Sequence, residues 1–387
     1  MDKIIRRFIE DAAREDSGQP ALISVDGQVV SYAALLRQGD HTHGELRALG
    51  IGRNDRVAIV LPNGLQMALA FIAITCAATA APLNPGYRRP EYAFYLGDLR
   101  PKAVVTLPGR QPELRELAAE MELPVLDLVL DSSGPNPLAR LEGETGLERA
   151  NDGVPEAGDI AMILHTSGTT SRPKMVPLTQ VNLFASATNI VTTLRLTEAD
   201  RCLTMMPLFH IHGLMAGLLA PMRGGSSVIC APRFDALKFY EWLDELKPTY
   251  YTAVPTMHQA ILERAAEHRD IIEDSNLRFV RSSSASLPPV VMAELEETFG
   301  CPVIESYGMT EAAHQMASNP LPPGDQRPGT VGLEAGPEVA IMEEDGDRLL
   351  PQGQVGEIVI RGDNVTLDYL ENPEANTKAF TAGWFRT

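Results

Sequence analysis

The stretch Leu164-His165-Thr166-Ser167-Gly168-Thr169-Thr170-Ser171-Arg172-Pro173-Lys174 gathers hydroxyl side chains, a glycine and a cation directly after the apolar run Ile160-Ala161-Met162-Ile163. These residue types suit an anion. Gly168 lets the backbone approach a ligand, hydroxyls and amides donate hydrogen bonds, and Lys174 supplies charge where the phosphates of a nucleotide would sit. The common NTPase loop is excluded, because it ends in Gly-Lys-Ser/Thr and Pro173 stands where its second glycine belongs. Hydroxyl-rich turns are ordinarily solvated surface loops. The setting favours phosphate here: an apolar strand precedes the turn and a helix capped by Thr179 follows it.

A second segment, Glu305-Ser306-Tyr307-Gly308-Met309-Thr310-Glu311, follows another apolar strand. It is expected to open a helix or loop at that strand's carboxyl end, where ligands of open α/β sheets bind. Tyr307 offers an aromatic face for a base, Thr310 a hydroxyl for a phosphate, and Glu311 a hard carboxylate for a magnesium ion bridging phosphates. Taken singly, these are a commonplace Tyr-Gly turn and a solvated glutamate. Together with the hydroxyl-rich loop they become specific.

The elements that must position these residues follow from periodicity. Ala21–Val25, the Asp26-Gly27 turn and Gln28–Tyr32 predict a hairpin, with Ser31 capping the next helix. Strands are expected at 56–61, 102–106 and 124–128, with a helix over 112–121 between the last two. That alternation calls for a parallel sheet. Residues 132–158, rich in Gly, Pro, Glu and Asp, are expected to be a surface connection. A second alternating region places strands at 202–206, 227–230, 250–254, 277–282 and 302–305. From Pro320 short strands at 339–342 and 356–361 around a Glu344-Asp345-Gly346 turn predict a small barrel or distorted sheet.

Bulk properties limit the partners. Asp plus Glu number 51 against 33 Lys plus Arg, for a net charge of −18 over 387 residues, which disfavours nucleic acid and anionic membrane surfaces as partners. The four cysteines, Cys76, Cys202, Cys230 and Cys301, are far apart without CxxC spacing, which fits a reducing cytoplasm. The N-terminus predicts an amphipathic helix and not a signal peptide. The apolar stretch from Met67 to Ala81 is too short and interrupted to span a bilayer.

Residues 166–174, Tyr307-Gly308-Met309-Thr310-Glu311 and Gly383-Trp384-Phe385-Arg386-Thr387 resemble, in order, three signatures of the adenylate-forming enzymes of the acyl-CoA synthetase superfamily. Within it the chain is similar to oxalate–CoA ligases, through His165 to Lys174, Pro207 to Leu214, Tyr251 to Thr256, Ser284-Ala285-Ser286-Leu287 and Met309 to His314. The resemblance implies two stacked α/β subdomains with mostly parallel sheets (1–185 and 186–322) and a small β-barrel-like subdomain (323–387). It implies joining a carboxylate to ATP with release of pyrophosphate, then transfer of the acyl group from its adenylate to coenzyme A. Lys174, Thr310 and Glu311 would carry the chemistry, with magnesium on Glu311. Thr166, Ser167, Gly168, Thr169, Thr170, Ser171 and Lys174 would hold the phosphates. Ser284, Ala285 and Ser286 would border the adenine, Tyr307, Gly308 and Met309 would lie against it, and Thr310 would sit near the α-phosphate.

His210, Ser284 and His314 offer donors and positive charge to a small dianion such as oxalate, whereas a fatty chain needs a large apolar pocket. His210 and His212 form a His-x-His pair with no third ligand. Glu311-Ala312-Ala313-His314 matches half of a carboxylate-bridged di-metal motif, and its other half is missing. His165, His258 and His268 are expected to pack or face solvent. Arg281 is left between binding an acid and pairing with a carboxylate. Most family members carry glycine where this chain has Ser171 and Met175. The family also continues past the position of Thr387 into a small C-terminal domain, so the chain is expected to be the large N-terminal part of a longer enzyme. Two alternatives stand beside the oxalate reading: a short- or medium-chain acyl-CoA synthetase, and a non-catalytic nucleotide-binding remnant.

Overall fold

The computed structural model describes residues 3–131, 138–166 and 172–387. Among the described residues one sheet has nine strands, in the order Leu333–Glu334, His314–Ser318, Val303–Met309, Phe279–Ser282, Tyr250–Ala253, Arg201–Thr204, Ser227–Cys230, Pro20–Ser24 and Val29–Ser31. A second has seven: Leu138–Glu142, Val125–Asp131, Ala103–Thr106, Arg56–Ile59, Thr79–Pro82, Ile160–His165 and Met175–Thr179. The interior pairings of both are parallel, and antiparallel pairings lie toward the edges.

Successive residues of each strand bury opposite ways, as the period of two demands. Cys202, Val228, Tyr250 and Phe279 join a core shared with Val57, Ile59 and Val105 of the other sheet. Their neighbours Leu203, Ile229, Tyr251 and Val280 pack outward with helices Phe239–Leu246, Pro255–Ala265 and Pro289–Phe299. Ala58 and Val104 pack outward with Arg89–Leu99 and Pro112–Glu120. The shared core holds helices Tyr32–Ala48, Leu65–Thr75 and Gln180–Leu194, giving five alternating layers. Leu65–Thr75 is apolar on nearly every side, so only the middle layer can accommodate it. No helix among the described residues is long and apolar enough to cross a membrane.

The expected caps are present. Ser31 Oγ accepts from Ala34 N, and Thr179 Oγ1 accepts from Asn182 N, each contributing about 1 kcal/mol to its helix. One expectation changes, and one pair of alternatives is resolved. Strand Leu138–Glu142 lies within the segment read as a surface connection. The C-terminal strands Glu338–Met342, Glu357–Arg361, Trp384–Arg386 and Phe380–Thr381 form an open antiparallel sheet and not a closed barrel. One face packs Ile360 and Phe385 on the main core, so four short strands need no closure to bury their apolar side.

Candidate active site

Strands Ile160–His165 and Met175–Thr179 pair antiparallel and carry the hydroxyl-rich segment between them. Its neck is closed by Thr166 N donating to Lys174 O at 3.0 Å and by Lys174 N donating to Thr166 Oγ1 at 3.1 Å. Ser167, Gly168, Thr169, Thr170 and Ser171 lie outside the described residues. Asp98 braces the base: Arg172 Nη2 donates to it at 2.6 Å, and His165 Nε2 lies 3.1 Å from its other oxygen. Burial lowers the His165 pKa. Met175, one of the departures from the family pattern, is buried in the outer core.

Lys174 Nζ sits 4.5 Å from the centre of the Tyr369 ring, and the Tyr369 hydroxyl donates to Glu311 Oε1 at 2.7 Å. Burial first, then the Glu311 charge, raises the Tyr369 pKa, so the phenol stays a donor. The chain is pinned there by Thr366 N donating to Glu311 O, Thr366 Oγ1 to Pro177 O, and Leu370 N to Met175 O. Thr310 opens the single turn Thr310–Ala312 that presents Glu311. Lys174, Met309, Glu311, Tyr369, Arg386 and Thr387 line one cleft of about 610 Å³. In it Arg386 pairs with Glu357 and Lys378 with Glu374, whereas Lys174 pairs with no carboxylate among the described residues. The three separated signatures therefore converge. Among the described residues no group of three or more His, Cys, Asp or Glu gathers for a metal. Glu311, with one oxygen engaged by Tyr369, is a hard carboxylate donor that would suit a magnesium ion.

The segment Tyr307–Met309 continues the strand instead of opening a loop, paired with His314–Ser318. Gly308 allows this pairing: a Cβ there would lie 1.7 Å from His314 O. Tyr307 is half-buried. Ser284, Ala285 and Ser286 are exposed on the turn after strand Phe279–Ser282. Buried Glu305 holds that turn, its Oε1 accepting from Leu287 N at 2.9 Å.

Ser284 and His314 meet through a residue left out of the expected site. His212 Nδ1 lies 2.9 Å from Ser284 Oγ, its Nε2 lies 2.6 Å from Thr252 Oγ1, and its ring stacks on His314 at 4.9 Å. His210 is exposed, its ring against Phe209. Burial, with the nearby Arg281 charge, holds His212 and His314 well below the ordinary histidine pKa, so both are neutral near pH 7. Among the described residues His314 Nε2 is buried without a hydrogen-bond partner. Arg281 is fully buried and pairs with no carboxylate among the described residues, which removes the pairing alternative. It donates to Thr252 Oγ1 at 3.4 Å and to Gln315 Oε1 at 3.3 Å. Burial pushes its pKa down to about 10, still charged at neutral pH. The His-x-His spacing was the available signal for His212. No local signal marks Tyr369.

A model of the AMP-binding enzyme family matches residues 9–370, and the chain belongs to that family. Its relatives place it among the AMP-forming acid–thiol ligases. The probable CoA ligase CCL9 of Humulus lupulus is 44% identical over 98% of this chain and 73% of its own length. The oxalate–CoA ligase of Arabidopsis thaliana is 45% identical over 87% of this chain, which spans 66% of that enzyme. The ATP-bound crystal structure of MatB from Rhodopseudomonas palustris matches with a TM-score of 0.86 at 28% identity, covering 100% of this chain and 76% of that one.

Proposed function

We propose that this chain carries the nucleotide and acid sites of a carboxylate–CoA ligase acting on a small dianionic acid, oxalate first. The observation that supports it most is the convergence of Lys174, Glu311 and the Arg386-Thr387 end on one cleft, since each belongs to a different, widely separated signature. A carboxylate is a poor electrophile. Its oxygen attacks the α-phosphorus of ATP, the bond to the bridging oxygen breaks, and pyrophosphate leaves. The thiolate of coenzyme A then attacks the acyl carbon of the adenylate, and AMP departs.

Lys174 and the hydroxyls of Thr166 to Ser171 neutralise and orient the phosphate oxygens. Thr310 stands by the α-phosphate. Ser284, Ala285 and Ser286 border the adenine, with Tyr307 against its ring and Gly308 and Met309 beside it. Glu311 would hold magnesium, which supplies charge neutralisation on the leaving pyrophosphate. Ser284, His314 and His210 face the acid. Buried Arg281 beneath them and the His314 nitrogen that has no hydrogen-bond partner among the described residues suit an anion better than an alkyl chain.

The test is acid-dependent exchange of pyrophosphate into ATP, measured on the whole protein with oxalate, malonate, acetate and a medium-chain acid. Oxalate is expected to support the fastest exchange. No exchange with any acid removes the ligase reading, and preference for the medium-chain acid removes the oxalate assignment.

A further inference from the structure

We infer that Arg281, Thr252 and His212 form a directional hydrogen-bond relay that makes Ser284 a donor toward the acid. This rests on the placement of Ser284 at the acid proposed above. The direction follows from the inventory of protons. A guanidinium has only donors, so Thr252 Oγ1 accepts from Arg281 Nη1. The Thr252 hydroxyl proton is then turned to His212 Nε2, 2.6 Å away. A ring nitrogen that accepts carries no proton, so a neutral His212 holds its proton on Nδ1 and donates it to Ser284 Oγ at 2.9 Å. With its oxygen accepting, Ser284 directs its own proton outward.

The opposite polarity is disfavoured at both ends. It would set two donors, Arg281 and His212, on the Thr252 oxygen and leave the Thr252 proton to find another acceptor in a buried layer. It would also turn the Ser284 lone pairs toward an incoming carboxylate. A protonated His212 would donate from both nitrogens and set a second donor against the Thr252 oxygen, and burial together with the Arg281 charge opposes that protonation. Two further features fit. Ser284 is held at φ +72°, a conformation costly for a non-glycine residue and common where a side chain must be aimed. Arg281 is an uncompensated buried cation among the described residues, which costs stability unless an anion or a chain of dipoles answers it. Arg281 and Thr252 are thus positioning residues, acting on the acid through His212 and Ser284.

The relay is read directly from the tautomer of His212, using the whole protein labelled with nitrogen-15 histidine and a proton–nitrogen spectrum that separates protonated from bare ring nitrogens. His212 is expected with a protonated Nδ1 and a bare Nε2. Thr252→Val should mix the tautomers and raise the acid KM about tenfold with the ATP KM unchanged, and Thr252→Ser should restore both. A protonated Nε2 in the unaltered protein overturns the relay, and this spectrum needs no variant to fold. An acid KM unmoved by Thr252→Val but raised by Ser284→Ala also overturns it, while leaving the acid site standing. An acid KM unmoved by Ser284→Ala removes the acid assignment of Ser284, and the inference with it, whatever the tautomer.

Discussion

The two halves of the candidate site handle charge in opposite ways. Around Ser284, His212, Thr252, Arg281 and His314, the groups lie on or just beyond neighbouring strands of one sheet, and all but Ser284 are buried. Their polarity is fixed before any ligand arrives. Around Lys174 and Glu311, parts of the chain from two sheets and the C-terminal region are tied by backbone bonds such as Leu370 N to Met175 O. There the charges face an open cleft. A small rigid acid can be recognised by a preformed lattice of donors, whereas a triphosphate with its cation brings charges that complete an unfinished one.

The sharpest way to break this contrast is Lys174→Ala. It should lower the rate of pyrophosphate exchange about a hundredfold or more at saturating acid, with the melting temperature little changed. A comparable loss of stability would mean that Lys174 is structural. Gly308→Ala attacks the seam between the halves, because the added methyl would meet His314 O at 1.7 Å. We expect about 3 kcal/mol of destabilisation by denaturant unfolding, and a neutral result would show the strand pairing to be pliable.

Acid should separate the halves next. His212 and His314 are buried and neutral on the acid side, and His258, buried against Tyr251, has its pKa pushed down to about 4. Their folded-state pKa values lie below the unfolded value, so the unfolded chain binds more protons as pH falls. Stability is fully present above about pH 6.5 and is lost toward pH 4, with roughly 3 kcal/mol from His258 alone. Denaturant midpoints across that range check it, and a flat profile would refute the buried neutral histidines. The smallest effect is expected from Tyr369→Phe, which keeps the ring beneath Lys174 and removes the bond to Glu311. About a fivefold change in half-saturating magnesium is expected, with the acid KM unmoved.

Much of this scaffold was legible in the sequence because both sheets bury both faces. Runs such as Arg56–Ile59 and Tyr250–Ala253 then stand out by composition and length, and Ser31 and Thr179 mark helix starts by capping chemistry. Strand Met175–Thr179 was missed because Pro177 argues against a strand, and it is tolerated only because this strand lies at the sheet edge. The joining of the N-terminal hairpin to strand Ser227–Cys230 is a long-range pairing that no local pattern encodes. In the site, Lys174, Glu311 and Ser284 were visible through motif context. His212 showed only its His-x-His spacing, because its importance comes from what lies on either side of its ring, and Tyr369 showed nothing, because its partners come from two distant segments.

Tyr369 also does something that neither partner could do alone. Its ring lies under the lysine and its hydroxyl reaches the carboxylate, so it holds a positive and a negative group near one another and keeps them from collapsing into an ion pair. The cleft keeps a built-in dipole, a plus pole and a minus pole separated by one aromatic spacer. A ligand that is itself a metal cation bound to a polyphosphate presents the same two signs in complementary order, and meets both poles still unspent.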